Sequence, residues 1–243
     1  MIKTKCLLQI ACTLITGLSL SFTSCTLDQD DDLANLEGNA AGTFSTLGTV
    51  YENEGYITIE SDRYGTLIPE NTETITAIDA DSTGQRILIG FVFLNEASTF
   101  SVHESYPIRI VDLLYKVETQ HPDILTDEET SDSFGNAPLQ IVEATTGKNH
   151  LNIQYRYNGT PDAYHCFSLA IKENETIDAE GLLTAEFKHD ARNDSSSETR
   201  ESIISFALES LETYTSSACK GFRIFYNSGA NSRAEWKVWK DEK

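Results

Sequence analysis

The imidazoles of this chain are His103, His121, His150, His165 and His189, and no two have a spacing that sets them on one face of an element as metal ligands. The thiol nearest to any of them, Cys166, follows His165 directly and would point the other way on a strand. Asp79-Ala80-Asp81-Ser82-Thr83-Gly84 opens like a calcium loop, with oxygen ligands at alternate positions and Gly at the sixth. Its twelfth position is Gly90, inside an apolar run where such a loop needs a bidentate Glu, so a plain polar turn is expected. The chain has no Gly-x-Ser-x-Gly elbow, phosphate loop or dinucleotide fingerprint. Carboxylates are so numerous that a glycosidase-like pair can be proposed anywhere, which removes the information from any one pair. The reading is a protein without catalytic residues, metal or cofactor.

A few residues carry narrower expectations. Asp81-Ser82-Thr83 resembles a short acceptor motif for O-glycosylation of exported proteins, with Ser82 as the acceptor. Cys166 and Cys219 are the thiols left to the folded part; they either pair in an oxidising compartment or serve as small buried apolar residues. Trp236 and Trp239 are three apart, so on one strand they face opposite ways, one to the core and one outward.

The first residues are an address. Lys3 and Lys5 precede an apolar stretch from Cys6 to Leu20, followed by Phe22-Thr23-Ser24-Cys25. That stretch is shorter than the roughly 20 residues that cross a bilayer, and reads as a secretory signal over residues 1–24. The segment resembles a bacterial lipobox, with Cys25 as the lipidated N-terminus and Phe22 departing from the usual Leu. The acidic run with Asp28, Asp30, Asp31 and Asp32 opens a tether over residues 25–41. It reads either as a solvated arm held extended by like charges or as a signal for export to the outer face of the outer membrane. A lipid-anchored outer-membrane location follows, at the cell surface on the second reading and on the periplasmic face otherwise.

The chain has 243 residues, 40% hydrophobic, with 38 acids against 18 bases. That length and apolar content can bury a real core. A net charge of -20 repels a phosphate backbone, which argues against DNA or RNA as partners. The excess is uneven: residues 42–118 hold 4 bases and 12 acids, whereas residues 139–243 hold 12 and 16. Between them, residues 119–138 hold 5 acids and no base and read as an acidic linker.

The elements that must position these groups are strands. Residues 43–51, 56–60, 65–68, 86–94 and 108–117 alternate or run apolar between turn residues, with no convincing helix. The run Ile87 to Leu94 is almost unbroken and should be a central strand, and Val111, Leu113, Tyr115 and Val117 should share one face of the last. Five short strands in this span predict an OB-like barrel over 42–118. Leu151, Ile153, Tyr155 and Tyr157 alternate with polar residues, and similar runs follow to Trp239, including a strand within 201–211, which predicts a β-sandwich over 139–243. The fold class is therefore all-β, an N-terminal OB-like barrel followed by a C-terminal β-sandwich.

In order and spacing, Gly48-Thr49-Val50, Gly55 to Ile59, Gly84 to Ile89, Gly135-Asn136-Ala137-Pro138-Leu139 and Leu151 to Tyr155, behind a lipobox and acidic tether, resemble the NigD-like lipoproteins. Ala137 departs from the acidic residue expected there. The resemblance implies the same barrel-and-sandwich arrangement and, from the founding member's bacteriocin operon, an immunity role. It implies no set of functional residues. Two readings of function remain: a lipid-anchored, non-enzymatic binding protein whose acidic barrel meets a protein or peptide such as a cationic bacteriocin, or a glycan-binding accessory lipoprotein.

Overall fold

The computed structural model describes residues 42–95, 101, 103–126, 128–161, 163–230 and 232–240. Cys25, Asp28, Asp30, Asp31 and Asp32 lie outside the described residues. The described chain is all-β, an OB-like barrel followed by a β-sandwich.

Strands β1 (Phe44–Asn53), β2 (Tyr56–Ser61) and β3 (Gly65–Pro69) form a meander. A four-residue helix, α1 (Glu73–Thr76), then leads to β4 (Arg86–Phe93) and β5 (Ser105–Gln120). β4 pairs antiparallel with both β1 and β5, and β3 pairs parallel with the start of β5, Thr66 opposite Ser105. That last pairing closes the barrel and leaves no free edge. Val50, Ile59, Leu67, Ile87, Ile89, Phe91 and Ile108 fill it, and Ile75 of α1 plugs one end. The apolar run of β4 is covered on both faces as expected, because Leu88 turns the other way into a small cluster with Val117 and Ile203.

β5 differs from the single-faced strand expected of it. Two register shifts against β4, between Leu88 and Ile89 and between Gly90 and Phe91, let it bend around the barrel. Ile108 and Ile110 therefore face the core, Val111 is exposed, and Val117 is buried at the junction.

Beyond the barrel β5 continues and pairs parallel with the sandwich strand β11 (Thr199–Ala207), Glu118 to Gln120 opposite Ile204 to Phe206. The stretch expected to be a linker is thereby built into the sandwich. Asp123–Leu125 is a strand, β6, and Ser131–Phe134 a 3-10 turn that crosses the outer face of the second sheet. Its polar, acidic sequence hid this: three residues of a parallel edge strand give no readable period.

The sandwich places β11 beside β8 (His150–Asn158) and β7 (Leu139–Thr146) in the sheet shared with the barrel. The facing sheet has the order β13 (Arg233–Trp239), β12 (Gly221–Asn227), β10 (Leu182–Asp190), β9 (Cys166–Lys172), β6. Ile153, Tyr155, Leu169, Phe187, Phe206, Phe222 and Ile224 interdigitate between the sheets. A short helix α2 (Glu212–Thr215) closes one end, its Tyr214 stacked on Phe222.

Candidate functional site

Where barrel meets sandwich, one guanidinium ties side chains of both together. Arg86, at the start of β4, is fully buried where barrel meets sandwich. It donates to Asp62 Oδ1 at 2.8 Å and Oδ2 at 2.5 Å, to Thr49 Oγ1 at 3.2 Å and to Asn152 Oδ1 at 2.9 Å. Asn152 returns a hydrogen bond to Asp62 at 2.9 Å and accepts one from Ser205 at 2.7 Å. Gly147 leaves room for this: a Cβ there would meet the Asp62 carboxyl at 2.4 Å. His150, beside the network, is held neutral by burial and then by the Arg86 cation, which together push it down to about 4.

Arg86 and Asp62 cancel one another at the junction, so the barrel's surface keeps the acidic excess of its sequence. Arg109 is ion-paired with Glu70, and Lys116 donates to the Asp79 carbonyl at 2.7 Å. The β1–β2 hairpin carries the densest combination of acid and aromatic groups. Glu52, Glu54, Tyr51 and Tyr56 are exposed there, Tyr56 by 78%. The Tyr51 phenol is raised by burial and next by the Glu60 carboxylate. Carboxylates beside open tyrosine rings suit Lys and Arg side chains, which pair with the first and stack on the second. The hairpin is held from behind, since Thr83 Oγ1 accepts from Glu52 N at 2.9 Å and donates to Glu52 O at 3.1 Å.

That contact also settles the Asp79–Gly84 stretch as a turn: Gly84, at φ 90°, donates its N–H to the Val50 carbonyl. Ser82 is exposed at its tip. Trp236 packs against the sandwich core and Trp239 is exposed by 47%, as their spacing implies.

Cys166 and Cys219 do not form a disulfide. Cys166 pairs with Asp190 at one end of β10, and Cys219 lies two residues before Gly221, which pairs with Leu182 at the other. At roughly 3.3 Å per residue the two ends are about 26 Å apart, far beyond disulfide reach. Cys219 is buried and donates to the Gly221 carbonyl.

The histidine reading needs a correction too. His165 and His189 meet across the β9–β10 pair, Nδ1 to Nε2 at 2.8 Å, although 24 residues separate them. His189 Nδ1 donates to the Pro138 carbonyl at 3.1 Å, so its Nε2 accepts from His165. His165 Nε2 stands 3.2 Å from Asp194 Oδ2, an ion pair when His165 is protonated. Burial pushes His189 down to about 4, and hydrogen bonds from Thr160 N and Ser196 N hold Asp194 at about 2. The chain of contacts ties the loops at one end of the sandwich together. Among the described residues no group of three or more His, Cys, Asp or Glu could hold a metal ion.

Residues 123–238 match the family of the NigD-like C-terminal beta sandwich domain. The C-terminal sandwich is a NigD-like domain. Its fold recurs in solved structures of low identity. A protein of unknown function from Bacteroides vulgatus is 18% identical at a TM-score of 0.63, over 83% of this chain and 92% of its own. One from Bacteroides fragilis, named as a candidate lipoprotein, is 12% identical at 0.60, over 83% and 100%. A NigD-like immunity protein from Bacteroides caccae is 15% identical at 0.52, over 82% and 93%. No curated protein matches the chain.

Proposed function

We propose that this chain is a non-enzymatic binding protein, anchored at the outer membrane by a lipid on Cys25, whose acidic barrel receives a basic polypeptide. What carries the reading is the disposition of charge: the barrel keeps an excess of acids over bases, and Glu52 and Glu54 flank exposed Tyr51 and Tyr56 on one hairpin. Such a surface accelerates and orients a cationic partner and repels an anionic one. An immunity role, in which the partner is a cationic bacteriocin, is the specific form of this reading and is supported by the name of the Bacteroides caccae relative.

The test uses the chain from Thr26 to Lys243 as bait for the producing organism's secreted and envelope fractions, with crosslinking and mass spectrometry. The expected result is a small basic polypeptide that is released by salt and lost when Glu52 and Glu54 become Lys. Capture that is indifferent to salt and to those charges would overturn the reading, as would capture of no basic polypeptide.

A further inference from the structure

The outer face of the β10–β12–β13 sheet is crossed by the 3-10 turn Ser131–Phe134, and between them lies a cleft of about 290 Å3. It belongs to the sandwich and is independent of the acidic barrel. Its floor contains a group that a closed protein surface does not need. Lys188 of β10 lines the cleft with its side chain nine-tenths buried. Its ammonium has an ion pair with Glu186 at 3.8 Å, too long for a hydrogen bond, and no hydrogen bond among the described residues.

The other charged groups on the floor are already committed. Glu186 accepts from Ser131 Oγ at one oxygen and from Arg233 Nη2, at 3.3 Å, at the other. Arg233 lies flat on the Phe225 ring, 3.8 Å from its centroid, and Asn227 Nδ2 donates to the Asn136 carbonyl at 2.6 Å. Three N–H donors of Lys188 remain, with the Asp132 carboxylate exposed at the rim.

We infer that this cleft binds one ring of a neutral saccharide, with a hydroxyl oxygen accepting from Lys188 and another hydroxyl donating to Asp132. The balance of charge decides the class. Lys188 and Arg233 oppose a cation, Asp132 and Glu186 oppose an anion, and the chain's net charge of -20 opposes a free anion from a distance. A hydroxyl both donates and accepts, so a polyol can accept from Lys188 and donate to Asp132, whose carboxylate otherwise accepts from Thr130 Oγ1 at 3.4 Å, without bringing charge. The volume is at the small end for ligand pockets and suits a single ring.

The experiment is an amide NMR titration of the Thr26–Lys243 chain with glucose, galactose, mannose, N-acetylglucosamine and, as an anion control, acetate. Saturable shifts at Asn136, Asn227 and Ser232 are expected with at least one sugar and not with acetate. Asp132→Ala, a surface change that leaves the core untouched, should weaken that binding about tenfold, and Lys188→Met should do the same where it folds. No saturable shift with any of the four sugars overturns the inference and leaves a water-filled cleft. Shifts with acetate alone overturn it in favour of an oxyanion site. Sugar binding that Asp132→Ala leaves unchanged overturns the assignment to this cleft.

Discussion

Arg86 is fully buried between Asp62, Asn152 and Thr49, and Asp62 is only 16% exposed, so removing the guanidinium leaves a largely buried carboxylate without its partner. Breaking one partner of a fully buried pair costs about 3 to 5 kcal/mol, and the partial exposure of Asp62 puts this pair at about 3 kcal/mol. Arg86→Met should lower unfolding free energy by that amount in a urea titration, and Arg86→Met with Asp62→Leu should recover much of it. His150, next to this pair, gives a pH signature. Its folded value is about 4 against the 6.5 of an ordinary imidazole, so the unfolded chain takes up a proton first as pH falls. The stability it contributes is complete above about pH 6.5 and declines from there to about pH 4. Melting temperature measured from pH 7 to 4 should therefore fall less steeply in His150→Gln than in the parent. Little of this was readable from sequence. A charged residue opening the run Ile87 to Leu94 was the one visible sign of the network, and the meeting of His165 with His189 depends on the β9–β10 register, which residue spacing does not disclose.

Sequence located strands where apolar and polar residues alternate or where an apolar run is covered on both faces, and misled where bulges switch the inward face or the strand is short. Leu151 to Tyr157 and Tyr56 to Glu60 alternate because one side packs and the other is polar, and both are strands. β5 misled because its two bulges switch the inward face midway, and β6 because three residues carry no period. Glycine marks one point where backbones come closest. Gly221 begins β12 at φ 153°, and a Cβ there would lie 2.1 Å from the Val238 carbonyl oxygen of β13. Since Gly221 pairs with Trp239, Gly221→Ala must push β13 away from β12 along the sheet edge. The expected result is a loss of about 2 kcal/mol or more with faster amide exchange at Arg233 to Trp239, and unchanged exchange in β1 and β4 as the internal control.

At the scale of the whole molecule, barrel and sandwich could have been beads on a string, as an acidic linker between two blocks of strands implies. They share a sheet instead: β5 leaves the barrel wall and enters the sandwich beside β11, so one strand's hydrogen bonds serve both cores. The Leu88–Val117–Ile203 cluster buries apolar surface across the same junction, and Arg86 reaches from β4 to Asn152 of β8. A partner held by the barrel hairpin is thus held at a fixed orientation to the sandwich, which a flexible linker would not give. Two units coupled this way should unfold as one. Calorimetry of the chain should show a single transition whose van't Hoff and calorimetric enthalpies agree. Thr119→Pro removes a backbone donor at the point where β5 joins β11, without touching either core, and should separate that transition into two. Two transitions already present in the parent chain would mean that barrel and sandwich fold as independent domains, and the shared strand would then be a contact rather than a weld.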